Sequence, residues 1–219
     1  MTLSIKPTYL NGRPIVNGYV VPWFVAWYIG DNQCHERTPG AKPSFPTTDF
    51  GRLVQARKRN LCWICGNQMG ANKAFVFGPA SAIAQSSSEP PSHLACAGYA
   101  VTTCPYLINP DHRHTGHLRP RHEGEAVIED ISPHNPGLAV VWVCKSYDLT
   151  WPKPSLAVFT PGTPVTIQYW HRGRKATYKE VADAMQASII ANDMMNPRND
   201  LRELAFRVKA LMDWAGTPP

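Results

Sequence analysis

The feature that most constrains the fold of this 219-residue chain is a close pair of cysteines, Cys62 and Cys65, in the stretch LCWICGNQMG. A C-x2-C turn brings two thiolates to one ion, and the glycine that follows, Gly66, lowers the steric cost of the tight turn. Redox-active pairs of this kind stand at the start of a helix in a βαβ unit, whereas Gly66, Asn67 and Gln68 follow here. The spacing therefore favours a metal site, with a redox pair and plain buried thiols as the weaker alternatives.

A second pair of potential ligands, His93 and Cys96, has H-x2-C spacing in the segment PPSHLAC. The two prolines and Ser92 are typical of a helix start, with Ser92 as the N-cap. Residues three apart share one face of a helix, so both side chains would reach the same ion from its first turn. Four protein ligands close the coordination shell of zinc, so the two pairs predict a structural Zn²⁺ site. Cys104 is the rival for the position of His93, and Cys34 and Cys144 are interpreted as single thiols.

Between the two pairs, KAFVFG at 73–78 and the following residues to Gln85 have room for a short hairpin. A knuckle, a hairpin and a helix that supplies the last two ligands follow one another in a treble-clef zinc finger, and residues 60–104 resemble that group of folds. The resemblance implies zinc bound by Cys62, Cys65, His93 and Cys96. The stretches CWICG and EPPSHLACAGYAVTTCPYL are also similar to a family of uncharacterised phage and bacterial proteins, which implies no particular activity.

Catalytic chemistry has little support in the sequence. The segment DHRHTGHLRPRHEGE contains four histidines, His112, His114, His117 and His122, which we interpret as a polar loop and not as a second metal site. No zinc-protease, nucleophile-elbow, P-loop or dinucleotide-binding motif is present. A treble clef near histidines also suggests a nuclease of the HNH type, but residues 66–92 contain no histidine. A non-enzymatic protein is therefore favoured over a nuclease.

The positive charge is concentrated before the first cysteine pair. The chain has 22 Lys and Arg against 16 Asp and Glu, a net charge of +6, and much of the excess lies in GRLVQARKRN at 51–60. A cationic helix of this kind could contact phosphates through Arg52, Arg57, Lys58 and Arg59. The alternative is a solvated helix face with no ligand.

The pattern of turns and apolar residues predicts an α+β fold in four regions that form one compact unit. Residues 1–60 would contain a hairpin at two Asn-Gly turns, a loop at 31–48 and the basic helix, capped by Thr48 or Asp49. Pro22 would confine its strand to an edge or a bulge. Residues 61–105 would form the zinc module and residues 106–136 a loop rich in His and Pro.

The last region, 137–219, would combine an antiparallel meander with two helices. Its predicted strands are 137–147, 155–160 and 163–173, separated by WPKP and PGTP. Thr177 and Glu180 have the spacing of a capping box at the start of one helix. The final helix would begin near Asn199 or Asp200, end at Gly216 and present Leu201, Leu204, Ala205, Val208, Leu211, Met212 and Ala215 on one face.

The composition is that of a globular protein, with 43% hydrophobic and 17% charged residues. The longest apolar stretch, at 19–29, is too short to span a bilayer, and the N-terminus lacks the pattern of a signal peptide, so we expect a cytoplasmic protein, in the host cytoplasm if a phage encodes it. We expect a zinc-stabilised adaptor or inhibitor that binds a protein partner, with Trp63, Trp151 and Trp170 as anchors. The alternative is a nucleic-acid-binding protein that uses the basic helix.

Overall fold

The computed structural model describes residues 6–109, 137–153, 156–195 and 201–216, and in these ranges the protein is α+β, with antiparallel sheets and six α-helices. The strands are β1 (Ile15–Val16), β2 (Tyr19–Val20), β3 (Val25–Ile29), β4 (Asn32–Cys34), β5 (Lys42–Thr48), β6 (Lys73–Phe77), β7 (Leu138–Cys144), β8 (Tyr147–Lys153), β9 (Leu156–Pro161), β10 (Pro164–His171) and β11 (Arg174–Lys175). The helices are α1 (Phe50–Arg59), α2 (Pro79–Ala84), α3 (Leu94–Thr103), α4 (Pro105–Ile108), α5 (Tyr178–Met195) and α6 (Leu201–Ala215), and a 3₁₀ turn covers Thr8–Leu10.

The N-terminal region contains a small hairpin and a three-stranded sheet. β1 and β2 pair through Asn17-Gly18, and both turn residues have positive φ, as a two-residue hairpin turn requires. Pro22 lies before β3, so its predicted place in an edge strand or bulge is wrong. The prediction of a loop at 31–48 is also wrong, because β4 and β5 flank β3 in the sheet order β4-β3-β5. Their polar, proline-containing sequences resemble a loop, because an edge strand buries little and tolerates proline.

The larger sheet has the strand order β11-β10-β7-β6, and β7 is buried along its whole length. Val140 and Trp142 of β7 face a core covered by α1, α2, α5 and α6, whereas Val141 and Val143 face Ala97 and Val101 of α3. Both faces of this strand are therefore covered, which explains its continuous apolar run.

The predicted meander is wrong in its order, because β10 pairs with β7 while β8 and β9 pair with each other in a separate two-stranded sheet. The segment WPKP, predicted to separate strands, is mostly part of β8, which continues to Lys153. The excursion through β8 and β9 inserts between two strands that are neighbours in space. Pairing across such an excursion is not visible in a local pattern.

The hairpin predicted between the two ligand pairs is replaced by one strand and one helix. β6 pairs along its length with β7, and α2 follows it. The return arm is reduced to a single bridge, in which Ala74 and Ser92 exchange two backbone hydrogen bonds of 2.9 and 2.8 Å. Because Ser92 is held in this bridge, α3 begins one residue later, with His93 at the N-cap, and the prediction of Ser92 as the cap is wrong.

The starts of two other helices follow from their sequences. Asp49, not Thr48, caps α1, accepting a hydrogen bond from the Arg52 amide at 3.2 Å. Before α5, the Thr177 amide donates to Glu180 at 2.8 Å, in the pattern of a capping box. On α6, Ala205 is exposed and so does not belong to the buried face that contains Leu211. The predicted histidine loop, Asn199, Asp200 and the side chain of Leu201 lie outside the described residues.

Candidate metal centre

Four side chains from two separate segments meet at one point: Cys62, Cys65, His93 and Cys96. Their sulfur and ring-nitrogen atoms all lie within 4.8 Å of one another. Cys62 and Cys96 are fully buried and Cys65 is 5% exposed, whereas His93 is half-buried. Within the ranges that the structure describes, this is the group of Cys, His, Asp and Glu side chains that could hold a metal ion. The four ligands predicted from the spacing are therefore brought together.

The knuckle that carries Cys62 and Cys65 is shaped by the backbone. Leu61 and Gln68 form a bridge, the Cys62 amide donates to Asn67 at 2.8 Å, and the Gly66 amide donates to Cys62 at 2.8 Å. Gly66 has a φ of +78°, which favours glycine as predicted.

A neighbouring side chain that the sequence pattern does not indicate also leaves no room for a larger residue at Gly66. A Cβ atom at this position would lie only 2.6 Å from Cγ of Trp23, whose ring packs on the turn. The Trp23 amide donates to the carbonyl of Ile64 at 2.7 Å and fixes the position of that ring. The N-terminal region therefore forms one wall of the knuckle.

His93 is oriented with Nδ1 towards the three sulfurs. Nδ1 lies 3.4 Å from the Cys65 sulfur and 3.9 Å from the Cys96 sulfur, and Nε2 lies 3.0 Å from the carbonyl oxygen of Gln68. Because a carbonyl only accepts, Nε2 carries a proton, so in the neutral imidazole the free lone pair is on Nδ1. Metal-binding histidines are commonly fixed in this way by an outer hydrogen bond. The Gln68 carbonyl therefore selects the tautomer that can bind a cation.

The spacing of these atoms suits a tetrahedral ion. Bonds of about 2.3 Å to sulfur and about 2.0 Å to nitrogen place neighbouring ligand atoms of a tetrahedron roughly 3.5–3.8 Å apart. The two distances from His93 Nδ1 to the sulfurs fall close to that range. In addition, the His93 amide donates to the Cys62 sulfur at 3.3 Å, a backbone bond that would stabilise a thiolate. Three sulfurs and one imidazole are a typical donor set of structural zinc.

The three thiols compete for negative charge. Burial opposes ionisation of Cys62, but hydrogen bonds with Cys65, Cys96 and His93 outweigh it and hold the pKa of Cys62 far below its usual range. A hydrogen bond between Cys65 and Cys62 raises the pKa of Cys65 to about 11. The pKa of Cys96 is also raised, by hydrogen bonds with Cys62 and Cys65 and by burial. The chain alone therefore stabilises one thiolate, and a divalent cation would supply the positive charge that the other two require.

The rival ligand Cys104 is not part of this group. It lies at the C-cap of α3, whereas His93 is at the N-cap, so about 15 Å of helix separates them. Cys144 is buried in β7 on the sheet, and Cys34 lies in β4. His93 and not Cys104 therefore completes the group.

The four basic residues predicted to contact nucleic acid differ in exposure. Arg52 is 7% exposed, and its guanidinium donates to the carbonyl of Trp23 and to Glu36, the latter at 3.2 Å. Arg57, Lys58 and Arg59 are exposed in the last turn of α1. Arg52 therefore serves the internal packing of the N-terminal region, and only the other three remain accessible to a ligand.

The three tryptophans predicted as anchors for a protein partner also differ in exposure. Trp63 is 2% exposed and stacks against Phe24 inside the core, so its predicted role as an anchor is wrong. Trp151 and Trp170 are half-buried, and basic side chains lie over their rings: Arg57 at 5.6 Å and Lys175 at 4.0 Å from the respective ring centroids.

Two further findings bear on function. Among the helices in the described residues, none is both long and apolar enough to cross a membrane. Comparisons with known protein families, with curated proteins and with solved structures give no match. The interpretation of the centre therefore depends on the geometry and chemistry of its own side chains.

Proposed function

We propose that Cys62, Cys65, His93 and Cys96 bind one Zn²⁺ in a closed structural centre of treble-clef type, within a non-enzymatic protein that binds a macromolecule. The observation that carries the proposal is the convergence of three thiols and one correctly oriented imidazole within 4.8 Å. With four protein ligands, the ion has no open position for water or substrate, which is the mark of a structural site.

The order of elements around the ligands supports a treble clef with an altered hairpin. A knuckle at 61–68 supplies the first two ligands, and the N-terminal end of α3 supplies the last two. Between them, β6 and Ser92 keep one bridge of a hairpin, and α2 occupies the place of its tip. This inserted helix accounts for the 27 residues, 66 to 92, that separate the two pairs.

The zinc proposal is tested by metal analysis of untagged protein, with Cys62→Ser and Cys96→Ser as ligand variants and Cys34→Ser as the matched control. We expect one equivalent of zinc in the wild type and in Cys34→Ser, and loss of the metal in both ligand variants. Wild-type protein that contains no transition metal when purified without chelator would contradict the proposal.

The favoured partner is a protein. On α6, Phe206 is 73% exposed and Trp214 is 44% exposed, and residues eight apart lie on the same side of a helix. Ala210, between them on that side, has a small side chain that leaves both aromatic rings accessible. Exposed aromatic side chains are the usual anchors of protein interfaces, whereas neither side chain is needed for the core.

The alternative, a nucleic-acid partner, is favoured by Arg57, Lys58 and Arg59, which are exposed together at the end of α1. Basic residues at this end of a helix also stabilise the helix itself through its dipole, which gives them a purpose without any ligand. A nuclease that uses His93 as its base has no such support, because Nδ1 of this ring faces the sulfurs of the proposed metal site.

Two matched surface variants separate the partner classes. Partners would be captured from the native host with and without nuclease treatment. The proteins compared are the wild type, the double variant Phe206→Ser with Trp214→Ser, and a triple variant in which Gln replaces Arg57, Lys58 and Arg59. We expect the aromatic variant to lose a nuclease-resistant partner. Submicromolar DNA binding that is lost in the basic variant, with the salt slope reduced by up to about three, would favour nucleic acid instead.

A further inference from the structure

The most exposed ligand of the metal centre is covered by a residue from the N-terminal region. The ring of Tyr9 stacks on the imidazole of His93, with 4.3 Å between ring centroids and an interplanar angle of 7°. His93 is the half-buried member of the four ligands, and a surface depression lined by Tyr9, Gln68, His93 and Leu94 opens beside it. A competing ligand or chelator would reach the ion from this side.

The 3₁₀ turn that carries Tyr9 is fixed to the knuckle at two further points. Leu10, the next residue, is fully buried among Cys62, Cys65 and Cys96. The side-chain amide of Asn67 donates to the carbonyl of Tyr9 at 3.4 Å, while the carbonyl of Asn67 accepts from Cys62. The turn therefore contacts the centre from outside although no residue of it is a ligand.

We infer that the turn Thr8–Leu10 is a cover of the metal centre that slows the exchange of its ion, with Tyr9 as the positioning residue of His93. This inference rests on the proposed zinc site. Metal leaves a closed site by stepwise loss of ligands, and the half-buried imidazole is the ligand with most room to turn away. The Gln68 carbonyl holds one edge of the ring, and Tyr9 covers its face. Release of His93 requires both contacts to break.

The contact between Tyr9 and His93 is suitable for a test because Tyr9 is 46% exposed and contributes little to the core. Tyr9→Ala removes the stacked ring, and Tyr9→Phe keeps it. Tyr19→Ala is the matched control, since Tyr19 is 44% exposed on β2. Transfer of zinc from each full-length protein to a chromogenic chelator gives the release rate, and the absorption spectrum of the Co²⁺-loaded protein reports whether the four ligands are retained.

We expect release from Tyr9→Ala to be about 2- to 10-fold faster than from wild type, because an aromatic pair of this kind is lost. Tyr9→Phe and Tyr19→Ala should release zinc at the wild-type rate, and all the Co²⁺ spectra should agree. Equal rates for Tyr9→Ala and wild type, with one zinc bound to each, would overturn the cover and leave the zinc site standing. Equal acceleration in Tyr19→Ala would also overturn it. A wild type without zinc would remove both proposals.

Discussion

The candidate metal centre and the sheet core differ in how much apolar surface they bury, although α3 belongs to both. The core around β7 contains large side chains that are almost completely buried, among them Phe75 and Phe159. At the metal centre the buried side chains that are not ligands are few, namely Leu10, Ile64 and Met69. The surrounding turns at 66–72 are mostly exposed. The sheet is therefore held by apolar burial, whereas the knuckle would depend on the proposed ion.

The largest effect is expected from removal of the metal. Because a structural zinc site contributes about 10–16 kcal/mol of binding free energy at neutral pH in small zinc fingers, its loss should unfold the knuckle. After chelation, hydrogen exchange should become fast at 61–72 and 90–96, while β7 should stay protected by its own core. Uniform loss of protection over both regions would show instead that the sheet core also depends on the metal.

Truncation in the sheet core should give the opposite result. Phe159 is fully buried, so Phe159→Ala should lower the free energy of unfolding by about 3–5 kcal/mol through lost burial and the cavity it leaves. The folded variant should still bind one equivalent of zinc. Urea unfolding combined with metal analysis would check both statements, and loss of zinc from folded Phe159→Ala would contradict them.

A third expected effect concerns a buried ion cluster in the N-terminal region. Glu36 lies 2.8 Å from Arg13 and 3.2 Å from Arg52, and all three side chains are 9–13% exposed. Replacing the carboxylate by an amide leaves two guanidinium groups without their counter-charge, so Glu36→Gln should cost about 3 kcal/mol. Zinc content should not change.

The same cluster predicts a dependence on pH. Burial opposes ionisation of Glu36, but hydrogen bonds and charge from Arg13 and Arg52 lower its pKa below the ordinary value of 4.5. A lowered carboxyl pKa contributes stability above that ordinary value and loses it as the pH falls through the lowered pKa. The difference in unfolding free energy between wild type and Glu36→Gln should therefore shrink below about pH 4.5. A difference that is constant with pH would exclude the ion cluster as its cause.

The smallest effect is expected at the start of α5, where Glu180 pairs with the exposed Arg174 of β11. The hydrogen bond from Arg174 lowers the pKa of Glu180 to about 2. This contribution is present above pH 4.5 and is lost as the pH falls towards about 2. Since the pair is solvent-accessible, Glu180→Gln should lower the melting temperature by less than about 2 °C at neutral pH, and by less still at pH 3. A larger loss at pH 3 would contradict this account.

The four side chains of the candidate metal centre were predictable from sequence because each pair is local. Cys62 and Cys65 share one turn, and His93 and Cys96 share the start of one helix, so spacing alone indicates them. That the two pairs of side chains meet at one point depends on contacts between segments distant in sequence, which the spacing does not show. The bridge between Ala74 and Ser92 also displaced the predicted helix cap.

The surroundings of the site were not predictable for the same reason. Tyr9 reaches His93 across more than eighty residues of sequence, and Trp23 packs on Gly66. Arg52 has the same residue type as Arg57, but it is buried because its helix face meets Trp23 and Glu36. A local sequence pattern predicts that a residue lies on a helix. Its burial and its contacts depend on the distant segment that packs against that face of the helix.

X-ray absorption at the zinc edge of untagged wild-type protein would test whether one ion is bound by three sulfurs and one nitrogen. We expect one zinc per chain, with about three sulfur neighbours at about 2.3 Å and one nitrogen at about 2.0 Å. His93→Ala should change the nitrogen shell, and Cys104→Ser should leave the spectrum unchanged. The proposed centre would be excluded by a shell of four sulfurs, by oxygen neighbours from water, or by protein without zinc.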